Sequence, residues 1–172
     1  TLPMEFRPIL QQNRHILHDI PAMGADAIQQ WAWARYSLRL IISVVQQTFG
    51  GRLNFVPHLH IMVSAGGLQE SRARWIHGIR YERRELMFAW RFAIGALLSE
   101  AYKKRVLRSN LSSKEFQDLL ETQHGREWNV FISRSGPKAY WLRHDGRYVR
   151  RPPIAQHRLA RVGIDRVEYL AK

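Results

Sequence analysis

The 172 residues suffice for one domain with a real core and are too few for two substantial ones. An apolar fraction of 45% argues against disorder, and the absence of cysteine excludes disulfides, thiolate zinc sites and cysteine nucleophiles. The 27 basic residues outnumber the 14 acidic ones, and the resulting +13 sets up a field that draws polyanions, either nucleic acid or an anionic membrane.

The opening Thr1-Leu2-Pro3-Met4-Glu5 has neither the basic region nor the apolar run of a signal peptide. Without an initiator methionine it reads as a piece of a longer protein. Phe6 to Ile20 reads as an amphipathic helix stopped by Pro21. Ala25 to Tyr36 is a second helix, rich in Ala, Gln and Trp. Leu38 to Gln47 then turns β-branched and reads as a strand, ending before a turn at Gly50-Gly51.

Pro57-His58-Leu59-His60-Ile61-Met62-Val63 follows as the partner strand of an antiparallel hairpin closed off by Gly66-Gly67. Alternation puts Leu59, Ile61 and Val63 on one face and His58, His60 and Met62 on the other. The apolar face anchors the strand. The two imidazoles, side by side on the other, form a rigid pair suited to one divalent metal ion, although the bare spacing also fits two surface histidines.

Trp75 to Tyr81 reads as a short third strand. Glu82 to Val106 is a helix, with Leu86, Trp90, Ile94, Leu97 and Ala101 at helical spacing. Its apolar stretch from Leu86 to Leu98 is interrupted by Arg91 and is too short to span a bilayer, so no membrane is expected, and the lack of cysteine fits a reducing cytoplasm. Ser113 to Thr122 is a helix whose Ser112/Ser113 and Glu115 suggest an N-terminal cap. Trp128 to Ser133 alternates as a strand. Ser135-Gly136-Pro137 opens a helix that Pro152-Pro153 ends, and Ile164 to Leu170 is a final strand. The pattern is a single α+β domain over 1–172, with a central antiparallel sheet of about four to five strands flanked by helices.

The basic excess concentrates between Arg134 and Arg161, where eight Lys/Arg face one acid, Asp145. Tyr140, Trp141 and Tyr148 interleave with them, a mixture that suits phosphate contact and base stacking better than a membrane. Arg143, Arg147, Arg150 and Arg151 are the candidate DNA contacts. Tyr140, His144 and Tyr148 fall four apart, on one slowly drifting face of the proposed helix. Such a stripe is commonly packing; its basic surroundings point instead to phosphate. A tyrosine hydroxyl attacks a phosphodiester effectively when a bound cation polarises the phosphate.

Thr48-Phe49-Gly50, the His58-Leu59-His60 strand and Gly66-Gly67-Leu68 together resemble the core signature of rolling-circle insertion-sequence transposases, the IS-ninety-one group of the HUH endonuclease superfamily. Gly146-Arg147-Tyr148-Val149-Arg150-Arg151-Pro152-Pro153-Ile154-Ala155 resembles the same family's tyrosine motif. The resemblance covers essentially the whole chain and implies an HUH-like fold. It implies His58 and His60 as ligands of Mg²⁺ or Mn²⁺ and Tyr148 as the nucleophile. Its product would be a 5′-phosphotyrosine and a free 3′-hydroxyl, on single-stranded DNA at transposon ends.

Three departures bear on this. The family often carries two tyrosines four apart, and here the earlier position is His144. A histidine commonly precedes the Thr-Phe/Trp-Gly triplet, and here Gln47 stands there, a candidate third ligand in competition with His144. The cysteine-rich zinc-binding region usual at the family's N-terminus is not in this sequence. A catalytically degenerate DNA-binding remnant is therefore the alternative reading. A water-using metal hydrolase is disfavoured, because no carboxylate cluster accompanies the histidines.

Overall fold

The structure, a computed structural model, describes residues 1–50, 54–133, 159–163 and 166–170. Within these, four α-helices combine with three two-stranded antiparallel pairs, an α+β arrangement. The helices are α1 (Arg7–Gln12), α2 (Ile20–Tyr36), α3 (Arg83–Lys103) and α4 (Ser113–Gly125). The pairs are β1 (Ile42–Phe49) with β2 (Phe55–Val63), β3 (Gly66–Gln69) with β4 (Arg74–His77), and β5 (Leu159–Val162) with β6 (Val167–Tyr169). An expected central sheet of four to five strands is thus replaced, among the described residues, by pairs. The first two hairpins meet through one antiparallel bridge from Arg39 to Leu68.

The expected first helix divides at Asn13, whose backbone (φ −125°, ψ 54°) leaves helical geometry. The buried Asn13 amide explains the break. Its Nδ2 donates to the Ile9 and Arg108 carbonyls at 2.8 and 2.7 Å, and its Oδ1 accepts from the Arg108 N–H at 2.7 Å. A 3₁₀ turn over Arg14–His18 follows, and Pro21 then opens α2. Proline fits either place, because the first helical turn needs no N–H from it.

Ser37, in the left-handed region at φ 52°, ends α2. The Gln29 amide bridges the exit by donating to the Leu38 carbonyl and accepting from the Leu40 N–H, each at 2.9 Å. Strand pairing consequently begins at Ile42, later than the β-branched run suggests. Ser112 and Glu115 form the expected capping box on α4. The Ser112 hydrogen bonds hold the Glu115 carboxyl below its ordinary value. Trp128 to Ser133 is not a strand. Its first N–H donates to the Met87 sulfur at 3.3 Å and the Trp128 indole to the Gln123 carbonyl at 3.0 Å, which commits this segment to the helices.

The main core joins Leu2, Phe6, Leu10, Ile16 and Ile20 to Met87, Ile94 and Leu98 of α3, Phe116 and Leu120 of α4, and Trp128. A satellite cluster centres on Trp31, Ala32 and Leu86. There the Trp31 indole stacks on Tyr81, with ring centres 5.3 Å apart, and donates to Glu85 at 2.6 Å. Tyr81 donates its hydroxyl to the Ser64 carbonyl at 2.7 Å, tying this cluster to the segment between β2 and β3. The proposed helix from Pro137 to Val149 lies outside the described residues, as do 164–165 of the last expected strand.

Two outcomes check this packing. Asn13→Ala strands the Arg108 N–H and carbonyl and lowers unfolding free energy by about 1–3 kcal/mol, read as a fall of roughly 5 °C in Tm. Burial raises the Tyr81 hydroxyl from its ordinary value to about 12, with Tyr36 adding to the shift. The folded state thus favours neutral Tyr81, and this contribution to stability is intact below pH ~10 and lost as pH rises through ~12. Absorbance titration of tyrosinate should show one late phase that is missing in Tyr81→Phe.

Candidate functional site

The β1–β2 hairpin is built on its inner face. Leu59 and Ile61 reach α2 at Gly24, where an added Cβ would lie 2.5 Å from the Leu59 Cδ1 and 3.5 Å from the Ile61 Cδ1. Trp90 of α3 closes the same contact, its ring edge 3.6 Å from that position. Glycine here lets the strand approach the helix backbone. At the start of β2 the Leu2 N–H donates to the buried Pro57 carbonyl, and Phe55 and Leu59 extend the main core.

Alternation then sends the histidines the other way. His58 pairs with Gln47 and His60 with Val45 across the strands, and directly opposed residues of an antiparallel pair share a face. The structure therefore brings His58, His60 and Gln47 together, half-buried, on the face of the hairpin opposite Leu59 and Ile61. The two imidazole centres stand 4.9 Å apart with their planes at 67°. The register shifts between Gln47 and Phe49, immediately beside the Gln47–His58 pair. Such bulges re-aim side chains, and they are frequent beside functional sites.

His58 carries a further constraint that the strand pattern does not announce. Its Nδ1 lies 2.7 Å from the Val56 carbonyl oxygen, two residues back on the same face. A carbonyl only accepts, so Nδ1 carries the proton and Nε2 keeps its lone pair. A backbone acceptor on one ring nitrogen is the usual way a metal-binding histidine has its tautomer and ring plane fixed.

The donor set suits a divalent ion in part. Two imidazoles sharing one ion through bonds of about 2.1 Å have ring centres roughly 4.5–5.5 Å apart, and 4.9 Å falls in that range. Among the described residues no group of three His, Cys, Asp or Glu completes such a site. The amide oxygen of Gln47 is the third donor that the pairing offers. Tyr148, Tyr140, His144, Arg143, Arg147, Arg150 and Arg151 all lie outside the described residues. No described helix is long and apolar enough to cross a membrane.

Comparison with known proteins adds to this geometry. Residues 41–172 match the family described as "Putative transposase". Over 167 residues the chain is 31% identical to the "Transposase for insertion sequence element IS801" of Pseudomonas savastanoi pv. phaseolicola. That similarity takes in 93% of this chain and 40% of the relative, so the chain spans about two-fifths of the length of the curated protein it matches. No solved structure matches.

The tautomer is directly observable. Two-bond ¹H–¹⁵N spectra at neutral pH should show His58 protonated on Nδ1 with a free Nε2, and the reverse pattern would remove the Val56 constraint.

Proposed function

Because this chain belongs to the IS-ninety-one family of insertion-sequence transposases, we propose that it cleaves and transfers single-stranded DNA at element ends during rolling-circle transposition. The observation that carries the reading is the shared hairpin face of His58, His60 and Gln47 in a chain with this family membership. In this reading the Tyr148 hydroxyl attacks a backbone phosphorus. The Tyr148 O–P bond forms, the P–O3′ bond breaks, and the tyrosine proton ends on the departing 3′ oxygen. The 5′ phosphate stays on Tyr148, which conserves the bond energy for rejoining and requires no external energy source.

His58 and His60 would hold the divalent ion, Mg²⁺ or Mn²⁺, with Gln47 or His144 as the third donor. When bound, that ion polarises the phosphate and stabilises the charge that gathers on it. The Val56 carbonyl, by accepting from the His58 Nδ1–H, leaves Nε2 as the nitrogen of that ring available to the ion. Arg143, Arg147, Arg150 and Arg151 neutralise the phosphates flanking Tyr148, and the net charge of +13 concentrates the DNA.

A second reading, a DNA-binding remnant without catalysis, is favoured by the missing third imidazole or carboxylate among the described residues. One experiment separates the two. Labelled single-stranded DNA carrying element ends is incubated with Mn²⁺ and resolved on a denaturing gel. The catalytic reading expects a covalent adduct that disappears in Tyr148→Phe and falls by roughly a hundred-fold or more in His58→Ala and His60→Ala. DNA binding with no adduct supports the remnant, and cleavage that survives Tyr148→Phe points to a water nucleophile.

A further inference from the structure

The second hairpin presents a face that the catalytic reading does not use. Arg39 bridges Leu68, and Leu68 pairs with Trp75, so the three form a row on one side of three successive backbone segments. The other side of this ribbon faces inward: a Cβ on Gly67 would meet Leu38 and Leu40 at 2.9 and 3.0 Å. The row itself is open, with Leu68 and Trp75 each 39% exposed and the Arg39 side chain 64% exposed. It continues at both ends. The Arg39 guanidinium sits 6.0 Å from the ring centre of Trp33, itself 47% exposed, and the His77 ring lies 6.3 Å from that of Trp75.

Charge selects the occupant. Arg39 is paired with Glu70, but Arg72, exposed in the turn between β3 and β4, forms no ion pair among the described residues, while Arg74, one residue before Trp75, alternates to the opposite side of the ribbon. Exposed indoles separated by a guanidinium and edged by an unpaired cation match a polymer of flat rings and phosphates. They match an apolar protein surface less well, because Arg39 and Arg72 would have to be desolvated there. Stacking on indoles requires bases that are free of a duplex.

We propose that the Trp33–Arg39–Leu68–Trp75 face is a second contact surface for single-stranded DNA, with unpaired bases stacking on Trp33 and Trp75 and Arg72 meeting the backbone. This rests on the reading of the chain as a DNA-processing transposase. The surface starts just beyond the histidine strand, since β2 ends at Val63 and β3 begins at Gly66.

Fluorescence anisotropy of labelled oligothymidylate with the full chain, in EDTA, tests this. Trp33→Ala and Trp75→Ala should each weaken binding about ten-fold, with Trp75→Phe retaining most of the affinity. The Arg72→Ala variant, altered at an exposed position, should lower the slope of log K against log salt by about 0.7. Wild-type binding that none of these variants alters overturns the proposal and leaves the transposase reading standing. A wild-type chain that binds no single-stranded DNA overturns both. A shift from dimer to monomer in Trp75→Ala at unchanged DNA affinity makes the face an interface between copies and likewise overturns it.

Discussion

The contact of the β2 inner face with α2 at Gly24 is the constraint on which the rest depends. Strand geometry allows only two orientations for β2, and a slip of one residue exchanges its faces. With Leu59 and Ile61 inward, the close approach at Gly24 and the Trp90 contact are satisfied. The opposite orientation would take both half-buried aliphatic side chains off α2 and press two imidazoles against α2 and α3. Packing therefore fixes the orientation, so the aim of His58 and His60 away from α2 is a consequence of the core. Their separation is set by the pleat, and Val56 sets the tautomer of one of them.

Much of this was legible in the sequence because it depends on local alternation. His58-Leu59-His60 inside an apolar run specifies two chemically distinct faces without reference to anything distant, although the structure leaves both half-buried. The Ser112/Glu115 cap was legible for the same reason: both partners fall within one helical turn. Gln47 was identified on the neighbouring strand, but its placement opposite His58 follows from a register that the adjacent bulge modifies.

Where local reasoning failed, a long-range partner had intervened. Asn13 breaks the first helix because Arg108, 95 residues later, completes its amide bonds. Trp128 leaves the strand pattern because Met87 and Gln123 take its two N–H groups. Pro21 was ambiguous in principle, since a proline that ends one helix is equally suited to begin another. The Arg39–Leu68–Trp75 row was not visible at all: three unremarkable positions become one face only through strand pairing. The tyrosine motif is read from the sequence and the family, as its residues lie outside the described structure.

The central claim is that one packed strand aims two imidazoles at a single divalent ion. Pulsed electron paramagnetic resonance of the Mn²⁺-loaded chain measures this directly, because nitrogen ligands modulate the electron spin echo. The account predicts couplings from two imidazole nitrogens, reduced to one in either His58→Ala or His60→Ala. An echo without nitrogen modulation in the intact chain, or one unchanged by both substitutions, would contradict it.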